Sequence, residues 1–358
     1  MRIATLSNAG VVHTRRWVEH LRERGHDVRV YSLEPAAPGF TSVPLPAPLL
    51  PGFLRYPLAA VPLRHELAAF KPDLVDAHYV PNYGVLGALC GIHPLSVTAW
   101  GSDLLIAGRR DGLQRMRARW AMRRADLVLA DSDNLAAAAL ELGAPRGIVR
   151  AIPWGVDRER FRPGLRERGL LLSTRMHEAI YDIPVLLRGV ARVMASRPET
   201  FLAIAGEGSL RARHEALAAQ LLPAGRYRVL GRLAPAEMAD WLARAEIALS
   251  ASQSDSTSVS LLESMAAGAV PVVSDLEGNR EWVEDGEGAR FFAVGDDAGV
   301  TRALDAALAD DAWRAAARTR NAGVIAERGD WHRNMARIEA AFQALANGRP
   351  LPDDPGAR

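Results

Sequence analysis

Short apolar runs alternate with longer stretches of helical periodicity along this chain, and that alternation constrains the fold more than anything else in it. Arg2–Leu6, Val28–Ser32, Leu74–His78, Leu95–Ala99, Leu127–Ala130 and Val149–Ile152 are short and mostly aliphatic, as buried strands are. Between them, Arg15–Arg24, Leu63–Phe70, Gly84–Gly91, Leu113–Arg124 and Asn134–Leu142 read as helices. Strands apolar on both faces and joined by helices predict a doubly wound parallel sheet, because parallel neighbours need a crossover and the crossover helices cover both faces. The rhythm stops between Pro153 and Gly164, where Pro, Gly and charge replace periodicity. It resumes with Leu170–Ser173, Phe201–Ala205, Arg228–Leu230, Ile247–Ser250 and Val270–Ser274. A chain of 358 residues is long enough for two such domains. The expected division is 1–155 and 156–330 across a hinge and a cleft, then a helix over 331–347 and a disordered Pro- and Gly-rich tail over 348–358.

The stretch from Asp255 to Asp275, DSTSVSLLESMAAGAVPVVSD, carries the strongest chemical signal. Ser256, Thr257 and Ser258 supply helix-capping side chains, Gly268 a helix stop, and Val270 to Val273 a buried strand. The unpaired amides and positive dipole end at such a helix start suit a phosphate or diphosphate. Glu263, two turns in, has the chemistry to accept hydrogen bonds from ribose hydroxyls, and Asp255 from sugar hydroxyls. A nucleotide-sugar needs all three.

This segment resembles the donor-site signature of the retaining glycosyltransferases of family 4: usually a Glu, seven residues, a second Glu, then Ala-Met-Ala-x-Gly-x-Pro-Val-Val. Glu263, Met265, Ala266, Gly268, Pro271, Val272 and Val273 are shared, the last three one place later because two residues separate Gly268 from Pro271, and Asp255 is a departure at the first Glu position. The crossing segment also resembles the family's, with Gly155, Val156, Asp157, Phe161 and Pro163 retained and Trp154 replacing Asn. The resemblance spans nearly the whole chain. It implies a GT-B fold, two Rossmann-like domains facing across a cleft, with the last helix returning to the N-terminal domain.

The same resemblance, with the residues themselves, suggests the remaining positions. Arg175 corresponds to the Arg that clamps the donor diphosphate, while the partner Lys is replaced by Tyr181 or Ile180, a phenol giving at best one neutral hydrogen bond. Gly206, in Gly206-Glu207-Gly208, and Arg232 correspond to the walls beside the nucleotide, and Gly278 and Glu281 to a loop around the donor. Trp100 stands where many relatives carry a His near the reacting sugar, with Gly101 and Asp103 retained. Indole does no acid–base work, so His78 is the substitute candidate, its alternative being a buried, satisfied histidine. Gly10 and His13, in the loop after the first strand, are acceptor-side candidates, with capping or packing the alternative for His13.

Composition narrows the classes. Cys90 is the only cysteine, which excludes an intrachain disulfide or a cysteine-rich metal site. No Asp-x-Asp metal pattern stands out, and the first loop lacks a full Gly-x-Gly-x-x-Gly, which counts against a nicotinamide cofactor. Residues 1–155 hold 18 basic and 13 acidic side chains, weak support for an anionic partner and none for nucleic acid. Arg109 to Arg124 carries seven Arg and one acid, with Leu113, Met116 and Trp120 at helical spacing. It reads either as an anionic-membrane contact or, the stronger reading, as a core-facing stripe with a solvated basic face. Without a signal peptide or an apolar span, a cytoplasmic protein is expected, peripheral at a membrane if the first reading holds. The function expected is metal-independent, cofactor-free glycosyl transfer from a nucleotide-sugar to a glycan, lipid-linked or small-molecule acceptor. The alternatives are an epimerase on the same fold and a catalytically silent nucleotide-sugar-binding subunit.

Overall fold

The computed structural model describes residues 1–46, 50, 52–108 and 112–353. They form two compact units: Met1–Ile152 together with the described residues from Met335 on, and Pro153–Asn334. In the first, β1 (Arg2–Leu6), β2 (Asp27–Ser32), β3 (Val43–Pro44), β4 (Leu74–His78), β5 (Leu95–Thr98), β6 (Leu127–Ala130) and β7 (Val149–Ala151) make an all-parallel sheet ordered β3-β2-β1-β4-β5-β6-β7. In register, Ile3 sits beside Val28 on one side and Leu74 on the other. In the second, β8 (Leu170–Ser173), β9 (Phe201–Ala205), β10 (Tyr227–Gly231), β11 (Ile247–Ser250), β12 (Val270–Ser274) and β13 (Arg290–Phe292) are ordered β10-β9-β8-β11-β12-β13, again all parallel. The order reverses between β1 and β4, and again between β8 and β11. These are the topological switch points where doubly wound sheets open a crevice at the carboxyl ends of their strands.

Alternation along the strands divides the second unit's core in two. Leu171, Val270 and Val272 join one apolar cluster; Leu170, Leu172 and Ala248 join another on the opposite face. The helix Ile183–Ser196 covers the first with Leu186, Leu187 and Val190, and the helix Val259–Ala267 covers the second with Leu261, Leu262 and Met265.

Several stretches differ from expectation. The segment after Pro153 is not a loose linker: Trp154, Val156 and Phe161 are buried, and Val156 bridges to Asp330 in parallel. Gly155 has φ +79°, and a Cβ there would lie 2.5 Å from the Gly329 carbonyl oxygen, so only glycine permits this crossing. From Met335 on, the helix Trp331–Ala346 belongs to the first unit, where Phe342 packs 6.4 Å from the Trp17 ring and Glu339 accepts from His26 and Arg24. In the expected disordered tail, the Pro352 carbonyl accepts from Arg150 Nε at 2.9 Å; residues 354–358 lie outside the described residues.

The Arg-rich helix Gly112–Met122 corrects the core-facing reading of its stripe. Arg117, Ala118, Ala121 and Met122 face the core, while Leu113 and Met116 are 43% and 61% exposed and Trp120 is partly buried. Arg117 is held inside by donating Nε to the Pro81 carbonyl. Arg109 and Arg110, the first basic residues of that stretch, lie outside the described residues.

Candidate functional site

In the second unit, Arg175 lies just past β8 and the loop 251–258 follows β11, the two strands that flank the switch point. Arg175 is 8% exposed, and its Nη1 donates to the hydroxyls of Ser258 and Ser260, each at 2.7 Å. Its Nη2 donates to the Asp255 carboxylate. Asp255, expected at the sugar, is thus the ion-pair partner of Arg175. The guanidinium carbon lies 4.3 Å from the Tyr181 ring centroid, so Tyr181 contributes its π face rather than a phenol hydrogen bond. Arg175 Nε is buried with no partner among the described residues.

The helix Val259–Ala267 is built as its sequence indicates. Ser258 is extended and accepts from the Leu261 amide, and Gly268 closes the helix in the left-handed conformation. Ser256, Thr257 and Ser258, expected to front a ligand, are all buried. Thr257 Oγ1 accepts from the Trp282 indole at 3.2 Å, and a Cβ on Gly278 would meet the Ser256 carbonyl oxygen at 2.1 Å. Ser258, with Ser260, meets Arg175 through its side chain. Glu263 sits half-buried on the same helix.

The neighbouring loops at this edge are shaped by close approach. Gly206, at φ +125°, lies where a Cβ would be 2.5 Å from the Arg175 carbonyl oxygen. Glu207 binds the Arg211 guanidinium and the Arg232 amide; the bond to Arg211 comes first in holding its carboxyl below the ordinary range. Arg232 is exposed. Arg280 pairs with Asp275 through two hydrogen bonds, beside a cavity of about 400 Å³ at the ends of β12 and β13.

In the first unit, His78 closes β4 at the other switch point. Its Nε2 lies 2.8 Å from Asp76 Oδ2, and the same carboxylate accepts from Trp17 Nε1 at 3.0 Å and Thr98 Oγ1 at 3.1 Å. A proton on Nε2 leaves the Nδ1 lone pair of the neutral ring unused, and Nδ1 is buried without a partner among the described residues. The ring packs edge-on to Trp17 at 5.1 Å and Trp100 at 5.7 Å, and Trp100 meets His13 at 6.0 Å. Burial, then the Arg16 charge, pushes His13 down to about 4.

Asp103 corrects its assignment as an acceptor-side group. It is fully buried, accepts from the amides of Val80, Trp100 and Leu104, and is pushed up to about 6 by burial against the pull of those amides. It shapes the turn that carries Trp100. Gly10 is exposed, its amide donating to the Asn8 side chain at 2.8 Å. Asp76, Ser260, Gln253 and Trp282 escaped the sequence reading. Asp76 alone left a signal, a carboxylate inside an apolar strand. Among the described residues, no group of three or more His, Cys, Asp or Glu is placed to hold a metal ion, and no helix is long and apolar enough to cross a membrane.

Residues 10–160 match the family model described as Glycosyltransferase Family 4, and residues 167–310 that described as Glycosyl transferases group 1. The chain is 31% identical over 180 residues to a phosphatidyl-myo-inositol mannosyltransferase of Mycolicibacterium smegmatis, covering 50% of this chain and 46% of that protein. It is 30% identical over 233 residues to a D-inositol 3-phosphate glycosyltransferase of Catenulispora acidiphila, covering 59% and 54%. The chain thus spans about half the length of the curated relatives it matches. Among solved structures, a sucrose-phosphate synthase of Thermosynechococcus elongatus superposes with TM-score 0.85 at 19% identity, over 97% of this chain and 100% of that one. Anabaena HepE in complex with UDP-glucose superposes with TM-score 0.81 at 16% identity, over 96% and 100%. Two parallel sheets with the same strand reversal, matched by consecutive family models and by these folds, make the chain a member of the group 1 glycosyltransferases of the GT-B type.

Proposed function

We propose that this protein transfers a glycosyl group from a nucleoside diphosphate sugar to an acceptor hydroxyl, with retention at the anomeric carbon and without a metal ion. One observation carries the reading: a buried guanidinium at the switch point, bonded to the capping serine of the helix Val259–Ala267. As the bond from the anomeric carbon to the phosphate oxygen breaks, negative charge grows on the diphosphate, and donors at the switch point stabilise it, Arg175 after exchanging Asp255 for the diphosphate. Arg175 and the amides at that helix start supply them. The bond from the anomeric carbon to the acceptor oxygen forms, and the acceptor proton passes to the departing phosphate. Glu263 binds the ribose, and Asp255 turns to the sugar once the diphosphate takes Arg175.

HepE was solved with UDP and with UDP-glucose, and two of the curated relatives carry an inositol lipid or inositol phosphate in their names, which supports a nucleotide-sugar donor and a polyol acceptor. The test is a thermal-shift panel of nucleoside diphosphates and their sugars on the wild type, Arg175→Ala and Glu263→Ala. NMR of the anomeric proton then follows transfer to inositol-type and lipid acceptors. Stabilisation by a diphosphate that both substitutions abolish, followed by a retained anomer in the product, is expected. No stabilisation by any nucleotide sinks the donor assignment, and conversion of the sugar without acceptor makes the protein an epimerase.

A further inference from the structure

The edge of the Arg175 guanidinium is taken by Asp255, Ser258 and Ser260, and its face by the Tyr181 ring at 4.3 Å. Tyr181 is itself firmly placed. It ends the tight turn Ala179–Tyr181, and Asp182 after it adopts φ +42°, a left-handed conformation uncommon outside glycine. Gln253 ties this segment to the loop after β11: its amide donates to the Ile180 carbonyl at 2.8 Å and its side chain to Asp182 at 3.1 Å. The segments following β8 and β11 therefore hold the aromatic ring against Arg175 from both sides of the switch point. An arginine has many rotamers, and a ring on its face removes those that swing the fork away from the anion.

We propose that Tyr181 is a positioning residue which fixes the plane of Arg175 through its ring, and so sets the preference of this site for nucleoside diphosphates over the corresponding monophosphates. This rests on the donor-site reading above. The ring rather than the hydroxyl is the working part, so phenylalanine substitutes for it and an aliphatic side chain does not.

The test is isothermal titration of the full chain with UDP and UMP, GDP and GMP, and ADP and AMP, comparing the wild type with Tyr181→Phe, Tyr181→Leu and Arg175→Ala. The readout is the diphosphate-to-monophosphate affinity ratio, which a general loss of stability does not move. Arg175→Ala is expected to abolish the preference, Tyr181→Leu to reduce it about five- to twentyfold, and Tyr181→Phe to keep it within about twofold. If Tyr181→Leu fails to fold, Tyr181→Met, unbranched and of similar volume, takes its place. A ratio unchanged in the aliphatic variant while Arg175→Ala abolishes it overturns the role of Tyr181 and leaves the donor-site reading standing. A wild type that prefers no diphosphate, with Arg175→Ala identical to it, overturns the donor site itself.

Discussion

Asp255→Asn should have opposite effects on the empty and the occupied protein. The carboxylate neutralises a guanidinium that is 8% exposed, and its own side chain is 21% exposed, so the pair is only partly desolvated. Exchanging a charge-assisted hydrogen bond for a neutral one of the same shape costs about 1–2 kcal/mol. For a unit of this size that lowers the melting temperature by about 2–8 °C. A bound diphosphate reverses the sign, because its negative charge competes with Asp255 for the same guanidinium. Two unit charges about 5 Å apart at an effective dielectric near 20 repel by roughly 3 kcal/mol. Discounted for screening on the exposed side of Asp255, about 1.4 kcal/mol remains, so Asp255→Asn should bind diphosphates roughly tenfold more tightly. Differential scanning fluorimetry of the empty protein and titration calorimetry with UDP, GDP and ADP measure the two halves. An unchanged melting temperature, or weaker diphosphate binding in the variant, would refute the idea that Asp255 holds Arg175 in reserve for an anion.

Three further outcomes follow from other parts of the molecule. Gly278→Ala puts a Cβ 2.1 Å from a backbone oxygen of Ser256 and 2.9 Å from that of Asp255, so urea unfolding should show a loss of about 2–4 kcal/mol; wild-type stability would mean the two loops are not in contact. His13, neutral in the folded protein down to about 4, should contribute full stability above pH 6.5 and lose it as pH falls towards 4, amounting to roughly 1–3 kcal/mol. His13→Gln should flatten that slope, and parallel stability profiles for variant and wild type would remove the effect. Because Leu113 and Met116 are exposed on a basic helix, Leu113→Asp with Met116→Asp should reduce sedimentation with phosphatidylglycerol vesicles but not change that with phosphatidylcholine; equal binding by both proteins would leave that face without a membrane role.

What the sequence disclosed follows the range of the physics involved. Runs such as Val270–Ser274 declare themselves because five consecutive buried residues need an apolar composition. By contrast, β3 has two residues, one a proline, and β13 opens on Arg290, so neither gives periodicity anything to act on. Leu113, Met116 and Trp120 misled because their face looks apolar by residue type, while the true inner face is made of Ala118, Ala121 and Met122 with a buried Arg117. The residue types of the candidate site were legible, but their pairing was not. Arg175 and Asp255 are 80 positions apart, and nothing local to either says that they meet. Tyr181 was read for its hydroxyl because the chain spells out chemistry and leaves orientation to the fold.

The bridge between Val156 and Asp330 brings the two ends of the second unit side by side. A lobe closed in this way behaves as a cassette. Its ends can be spliced by a few flexible residues and the chain reopened at the exposed turn Pro223–Gly225 without displacing a strand. Such a permutant would report the lobe's own folding energy.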